Sequence, residues 1–260
     1  MITQTRVGKH TVFFEPGKHK FTDERGKGVN SVTKFTGLID KSGPLIYWAV
    51  GLMKNHLLSI IDAGTAIMAN HIEEGSKLHN VKKKEAGDIG TEIHDLVEKW
   101  IKGLKYEIPD NEKVRNGFNA FLEFQKQYKI KWLASEEIIG YVQDGEVLFA
   151  GIADALAEID GKLVLVDFKS SKGIYAEMYF QVAAYQMALE QMIEKGTINA
   201  ELKKALGKYK TVDHRMIIKF GKEDGGFEFI ELHDNDKDKK AFLALVDAKN
   251  RLIEIEKNSN

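Results

Sequence analysis

The sequence predicts a mixed α/β (α+β) fold in which helices flank a β-sheet. Three β-prone segments, at 136–143, 146–159 and 162–169, are separated by Asp-Gly dipeptides, which favour two-residue hairpin turns. Helical patterns precede and follow this β-meander, as expected for a mixed sheet covered by helices. The 260 residues are 43% hydrophobic, so the chain has enough apolar surface to bury a large core.

The part of the chain before the meander is predicted to form a small hairpin region followed by helices. The β-prone pieces alternate with glycine and charged residues and lie at 11–14, 19–22 and 29–32. The helical patterns lie at 44–71, with a break near Gly64, at 88–102 and at 112–131.

After the meander, helices and strands alternate. The predicted elements are a mostly apolar helix at 175–195, a shorter polar helix at 198–209, strands at 212–220 and 227–232, and an amphipathic helix at 236–257.

No internal repeat or flexible linker marks a domain boundary. Residues 1–260 are therefore predicted to form one domain. Within it, 1–87 is an N-terminal hairpin and helical elaboration, and 88–260 is the core.

The composition excludes several kinds of chemistry. The chain has 38 Lys and Arg residues and 39 Asp and Glu residues, so it has no overall cationic field and any site for a polyanion must be local. It has no cysteine, which excludes disulfides, thiolate catalysis, Cys-ligated zinc and iron–sulfur clusters. No stretch approaches the roughly 18 apolar residues of a membrane span, and no signal-peptide core is found, so we expect a cytoplasmic protein without membrane contact.

A two-residue turn at 160–161 determines how the strands beside it pair. Ile159 then lies opposite Lys162. The same register places Asp154 opposite Asp167, unless a bulge shifts the pairing by one residue.

Two aspartates in this position have Cβ atoms about 5 Å apart and repel each other. At a charge separation of about 4 Å and an effective dielectric constant of about 20, the repulsion amounts to about 4 kcal/mol. A divalent cation converts this repulsion into a binding site, and Lys169, on the same face as Asp167, argues for ionised carboxylates. Asp154, Asp167 and Lys169 therefore match the needs of metal-dependent phosphate chemistry. The alternative is a salt bridge at a strand end.

A third carboxylate is available on the preceding strand. If the Asp144-Gly145 turn pairs Gln143 with Glu146, Glu137 lies on the face of Asp154 and Glu136 points away. A bulge in this hairpin would exchange the two glutamates. Glu137 is the predicted third ligand under the unbulged register, and a solvated glutamate at the strand edge is the alternative.

Several motifs of the chain resemble the RecB-like branch of the PD-(D/E)XK nuclease superfamily, in particular its cluster-free phage-type and mitochondrial exonucleases. The motifs are Gly-Thr-Glu-Ile-His at 90–94, Gly-Ile-Ala-Asp at 151–154, Val-Asp-Phe-Lys-Ser-Ser at 166–171, and Gln181 followed by Tyr185. Weaker similarity at 29–33 and 47–49 extends the resemblance to roughly 30–189. The resemblance implies a restriction-endonuclease-like sheet core. Many relatives carry four cysteines for an iron–sulfur cluster, and this chain has none.

The resemblance also implies roles for individual residues. His94, Asp154, Asp167 and the backbone carbonyl of Phe168 would hold Mg²⁺, with Mn²⁺ as a substitute. Lys169 would orient or activate the attacking water. Gln181 and Tyr185, one helical turn apart, would face the same site. The alternatives are that His94 is an ordinary surface or core histidine, and that Gln181 and Tyr185 pack against the sheet.

The function implied is a metal-dependent DNA exonuclease that acts on single-stranded or end-containing DNA in repair, recombination or phage replication. The alternatives are a structure-specific or restriction-type endonuclease on the same scaffold, and a non-catalytic nucleic-acid-binding subunit. Protein partners are unknown. Candidate DNA contacts are Lys82, Lys83, Lys84, Lys203, Lys204 and Trp48. The alternatives are that the lysines form solvated faces, as such runs usually do, and that Trp48 belongs to the core.

Overall fold

The structure is a computed structural model that describes residues 2–259, which form seven α-helices and nine β-strands. The helices are α1 (Val32–Thr36), α2 (Ser42–Asp62), α3 (Ala69–Ile101), α4 (Glu112–Tyr128), α5 (Ala176–Glu194), α6 (Ala200–Leu206) and α7 (Asn235–Asn258). The strands are β1 (Thr3–Val7), β2 (His10–Glu15), β3 (Lys20–Asp23), β4 (Gly28–Val29), β5 (Lys131–Gln143), β6 (Glu146–Ile159), β7 (Lys162–Lys169), β8 (His214–Phe220) and β9 (Phe227–Leu232).

The chain divides into two compact units. The first consists of 1–38 and 93–260, and the second of 39–92. The N-terminal strands thus belong to the same unit as the central sheet. The extent of a single domain over 1–260 stays a prediction.

The second unit contains α2 and the first part of α3. None of the residues of α2 is buried, and several large apolar side chains, such as Tyr47 and Ile46, are exposed. Within this unit the two helices approach closely at Gly75, where an added Cβ would lie 3.2 Å from side-chain atoms of Met53 and His56.

The first unit begins with a four-stranded antiparallel sheet in the order β1-β2-β3-β4. Its buried His10 ties this sheet to the β5–β6 turn, because Nε2 lies 2.8 Å from the carbonyl oxygen of Gly145 and Nδ1 lies 3.0 Å from Glu24. Arg25 adds an ion pair of 2.6 Å to Glu146 on β6. The predicted hairpin region is therefore a small sheet attached to the end of the central hairpin.

The central sheet has five strands in the order β5-β6-β7-β8-β9, which confirms the predicted mixed α/β class. The β5-β6-β7 meander is antiparallel, β7 and β8 run parallel, and β9 returns antiparallel to β8. Asp160 and Gly161 both have positive φ, of 50° and 75°, as a two-residue hairpin turn requires. The hydrophobic runs in β7 and β8 reflect burial of both sheet faces.

Helices cover both faces of this sheet. On one face, Leu165 and Ile217 belong to a core cluster with residues of α5 such as Val182. On the other face, Phe121 of α4 contacts Phe168 of β7 with ring centroids 6.1 Å apart. Residues alternate between these faces along β7, so Asp167 and Lys169 share the α5 face with Leu165.

Two predictions for the N-terminal part of the chain are wrong, one of helix ends and one of a strand. Helix α3 is one continuous helix of 33 residues, whereas the sequence pattern suggested a helix ending near His71 and another starting near Asp88. The segment between them is polar, and exposed helices without an apolar stripe escape prediction from hydrophobic periodicity. The short helix α1 lies where a strand was partly predicted. Among residues 2–259, no helix combines the length and apolarity that a membrane span requires.

A bulge changes the predicted register of β5 on β6. Tyr141 pairs with Phe149, whereas Val142 pairs with Val147, so Leu148 is an extra residue on β6. The side-chain amide of Gln191 on α5 bonds both the N–H and the carbonyl of Val142, at 2.8 and 3.0 Å. Backbone groups at the irregularity are therefore satisfied by a side chain.

The bulge makes the predicted position of Glu137 wrong. Glu137 lies opposite Ala153 and not Ile152. In this register, Glu136 is the residue of β5 that faces Asp154. The exchange of the two glutamates is the alternative that a bulge was expected to produce.

Candidate active site

The candidate site lies where β6 and β7 separate. Their backbone pairing runs from the turn to Ala155 and Val166, in the register predicted from that turn. One step further, Oδ2 of Asp154 accepts a 2.7 Å hydrogen bond from the backbone N–H of Phe168. The Asp154 carboxylate thus satisfies a backbone donor beyond the end of the ladder and is held next to Asp167.

Asp167 and Lys169 form an ion pair on the same face of β7. The side chain of Asp167 is 1% exposed and that of Lys169 is 17% exposed. Oδ1 of Asp167 is buried and has no hydrogen-bond donor among residues 2–259. A buried carboxylate oxygen without a partner is costly, and a bound cation would satisfy it.

His94 reaches the same point from α3. Its Nδ1 lies 3.8 Å from Oδ2 of Asp154, and its ring lies edge-on to Phe168 with centroids 6.1 Å apart. The backbone of Phe168 lies close enough to the imidazole to oppose the lowering of its pKa. The structure thus brings together His94, Asp154, Asp167 and the Phe168 carbonyl, which the sequence motifs had singled out.

Glu136 approaches from β5 in an unusual backbone conformation. Its φ is 56°, in the left-handed region that non-glycine residues rarely adopt within a strand. Such a conformation costs of order 1–3 kcal/mol and is typically kept at functional positions. Sequence analysis had set Glu136 aside, and the signal that could have identified it was the possible bulge in the β5–β6 hairpin.

His94, Glu136 and Asp154 each offer a ligand atom within 4.8 Å of the other two. Together with the unpartnered Oδ1 of Asp167, they form a set of oxygen donors and one imidazole nitrogen. Hard divalent cations prefer oxygen ligands, and an imidazole is compatible with Mg²⁺ sites that also accept Mn²⁺. The residues present therefore fit a divalent metal.

The raised pKa values of the acidic side chains also favour a bound cation. Burial, with repulsion from Asp154 and Glu98, raises the pKa of Glu136 to about 8. Burial raises the pKa of Asp167 to about 6, with Asp154 adding to the effect and Lys169 opposing it. The pKa of Asp154 is also raised by burial. Ionising all three without a cation is unfavourable.

The two bases of the site differ in charge. Burial, assisted by the Lys169 ammonium, lowers the pKa of His94 to about 4, so the imidazole is neutral at pH 7 and able to ligate a metal. Burial acts to lower the pKa of Lys169, but Asp167 and Asp154 outweigh it and raise the pKa. Lys169 is therefore an ammonium.

Gln181 and Tyr185 of α5 lie on the face of the sheet that carries Asp154 and Asp167. Nε2 of Gln181 donates a 2.8 Å hydrogen bond to the Tyr185 hydroxyl, and burial, with Asp167 and Asp154, raises the pKa of Tyr185. The Tyr185 ring packs directly on Gly151, where an added Cβ would lie 2.5 Å from Cε1. Gly151 is thus required for the close approach of α5 to β6.

The other predicted residues lie elsewhere. Glu137 is half-buried and accepts a 3.3 Å hydrogen bond from Asn199, the N-cap residue of α6. Lys203 and Lys204 are exposed on α6. The second unit contains the half-buried Trp48 and the exposed lysines Lys82, Lys83 and Lys84. The roles of these lysines and of Trp48 as nucleic-acid contacts stay predictions.

The mixed sheet with helices on both faces, and the cluster at the point where β6 and β7 separate, define a restriction-endonuclease-like core with a candidate metal site. Residues 113–241 match the family model of the PD-(D/E)XK nuclease superfamily. The match includes all the candidate site residues of β5, β6, β7 and α5, and His94 precedes it. Members of this superfamily are metal-dependent nucleases, so the match indicates a nucleic-acid substrate. No curated protein matches the chain.

We expect Asp154→Asn to raise the melting temperature in metal-free buffer at neutral pH. Because folding raises the pKa of Asp154, its ionised form opposes folding, and the amide still accepts the Phe168 N–H. A gain of about 1 kcal/mol corresponds to roughly 2–4 °C for a chain of this size. Thermal unfolding in EDTA, with Asp95→Asn on the exposed side of α3 as control, measures it. A lower melting temperature contradicts the electrostatic account.

We expect Gly151→Ala to reduce both stability and activity, because the added methyl group overlaps the Tyr185 ring. Overpacking of this kind costs about 1–3 kcal/mol. The control is Gly51→Ala on α2, where nothing lies within 4 Å of the new Cβ and a small gain in stability is expected. The measurements are melting temperature and nuclease rate. A Gly151→Ala variant with wild-type values of both would show that Tyr185 has room to move.

Proposed function

We propose that the protein is a metal-dependent DNA exonuclease that hydrolyses phosphodiester bonds in single-stranded or end-containing DNA. The observation that carries the proposal is the convergence of His94, Asp154, Asp167 and Lys169 at one point of the sheet. The exonuclease assignment rests on the resemblance of these motifs to the RecB-like branch. Repair, recombination or phage replication in the cytoplasm are the processes in which we place it.

In this proposal, His94, Asp154, Asp167 and the Phe168 carbonyl hold Mg²⁺, with Mn²⁺ as a substitute. The neutral imidazole and the unpartnered Oδ1 of Asp167 support their assignment as ligands. When bound, such a cation lowers the pKa of water and offsets negative charge on the phosphate.

Glu136 takes the role first assigned to Glu137. Its ligand distances to His94 and Asp154, and its left-handed backbone, support this assignment. Glu137 instead supports α6 through Asn199.

Lys169 acts as an ammonium. Because its pKa is raised, it is suited to donate hydrogen bonds to a phosphate oxygen and to orient the attacking water, and unsuited to remove a proton. It offsets the charge that develops on the phosphate in the transition state.

Gln181 and Tyr185 lie at the side of the site that α5 covers. The Tyr185 hydroxyl accepts from Gln181, so its own proton is available for an acceptor such as a phosphate oxygen. The pair is therefore assigned to contact the nucleic-acid backbone or to support Lys169.

Linear and covalently closed circular single-stranded DNA, incubated with Mg²⁺, distinguish an exonuclease from an endonuclease. We expect the linear strand to be degraded and the circle to survive. Cutting of the circle would favour the structure-specific or restriction-type endonuclease. Absence of cleavage of both substrates, with Mg²⁺ or Mn²⁺, would favour a non-catalytic nucleic-acid-binding subunit.

We expect Lys169→Ala to lose cleavage by about 10²–10³-fold or more, because a charge that stabilises the transition state is removed. The variant should fold and should still bind Mn²⁺ in calorimetry. Lys162→Ala, at the exposed beginning of the same strand, is the matched control and should cleave normally. Near-normal turnover of Lys169→Ala would remove Lys169 from the mechanism.

We expect Glu136→Gln to weaken Mn²⁺ binding by about tenfold or more, because a charged ligand becomes a neutral one. Glu137→Gln is a matched control one residue away, since its amide preserves a hydrogen bond with Asn199. Calorimetric titration with Mn²⁺ compares the two variants. If Glu137→Gln binds Mn²⁺ more weakly than Glu136→Gln does, Glu137 and not Glu136 is the metal ligand.

A further inference from the structure

Lys219 of β8 lies beside Lys169 of β7 and is not used in the mechanism above. The two lysines are directly paired in the parallel register, as are Asp167 and Ile217. Paired residues on neighbouring strands project to the same face, and the strands lie about 4.8 Å apart. Because Ile217 packs in the core on the α5 side, Lys219 is on the face that carries Asp167 and Lys169.

The ammonium of Lys219 is held in place by two contacts. Nζ donates a 2.7 Å hydrogen bond to Glu228 on β9 and a 3.3 Å bond to the carbonyl of Lys172, in the loop that follows β7. The Lys219 side chain is 13% exposed, whereas that of Glu228 is 69% exposed. A largely buried cation is therefore fixed between the end of β7 and an exposed carboxylate.

A second cross-strand pair shows that burial is not required for such an ion pair. Lys131 and Glu158 are paired on β5 and β6 with a separation of 3.0 Å, and the Lys131 side chain is 67% exposed. Isolated surface pairs of this kind contribute little to stability. The burial of Lys219 next to another lysine thus calls for a reason beyond its ion pair.

We infer that Lys219 binds the phosphate adjacent to the scissile one in a polynucleotide strand, an inference that rests on the proposed nuclease function. A lysine ammonium binds phosphate as a point charge. A polynucleotide presents a charged phosphate at every nucleotide, so a strand held at Lys169 brings a neighbouring phosphate along the sheet end. Glu228 holds the ammonium in the absence of substrate and competes with that phosphate.

The inference predicts opposite effects for the two members of the ion pair. Lys219→Met removes the phosphate contact and should weaken DNA binding by about five- to tenfold. It should also reduce the slope of log affinity against log salt by about 0.7, as expected for one lost contact on a single strand. Glu228→Gln removes the competing carboxylate and should tighten binding. A purely structural ion pair would make both variants less stable and leave affinity unchanged.

The experiment is fluorescence anisotropy with a labelled single-stranded oligonucleotide, with Ca²⁺ replacing Mg²⁺ and over a range of KCl concentrations. Lys131→Met and Glu158→Gln are matched controls and should stay within about twofold of the wild type. Melting temperatures identify any variant that fails to fold. The inference is overturned if Lys219→Met binds like Lys131→Met, or if Glu228→Gln binds more weakly than the wild type.

Modified DNA provides an independent measurement. Replacing the phosphate next to the cleaved bond by one uncharged methylphosphonate should weaken binding of the oligonucleotide to the wild type. The same replacement should change its affinity for Lys219→Met little, because that variant has already lost the contact. Equal losses for both proteins would overturn the inference. If the wild type neither binds nor cleaves any oligonucleotide, the proposed nuclease function fails as well. If the wild type binds and cleaves, and only the Lys219 predictions fail, the nuclease proposal stands.

Discussion

The burial of three neighbouring carboxylates is the constraint on which the candidate site depends. Asp154, Asp167 and Glu136 come from three neighbouring strands, and the pKa of each is raised by burial. Charges in such surroundings are costly unless they are paired or coordinate a metal. The fold provides a neutral imidazole and one ammonium, which is too little positive charge for three carboxylates. A bound divalent cation would supply the missing positive charge and would link folding to metal binding.

Local irregularities of the sheet make this convergence possible. A regular ladder would carry β6 and β7 past the site with their backbones paired, but pairing ends at Ala155 and Val166. The Asp154 carboxylate then accepts the Phe168 N–H, while the Phe168 carbonyl faces His94. On the other side, the bulge in the β5–β6 hairpin turns Glu136 toward Asp154. Bulges are common next to active sites because they redirect a side chain without ending the sheet.

The sequence was sufficient to predict the part of the site that the geometry of a single hairpin turn determines. The Asp160-Gly161 turn allows one register, and this register determines that Asp154 and Asp167 meet. The sequence was insufficient to predict the features that depend on contacts between residues far apart in the chain. At the Leu148 bulge, Gln191 of α5 bonds the backbone of Val142, which is a contact between residues far apart in the sequence. The local sequence pattern alone allowed both registers and therefore both glutamates. Helix α3 was missed in part because its exposed, polar segment has no apolar stripe.

The distribution of charge across the sheet explains how a chain with a net charge of −1 is suited to a polyanion. From β5 to β8 the side chains at this end of the sheet change from Glu136 and Asp154, through the Asp167–Lys169 pair, to Lys219. The acidic side suits a cation, and the basic side suits phosphate. Because Lys169 and Lys219 are largely buried and each is paired with a carboxylate, their positive charge contributes little to a long-range field. Recognition of a nucleic acid by such a site would depend on contact geometry at the strand ends more than on attraction at a distance.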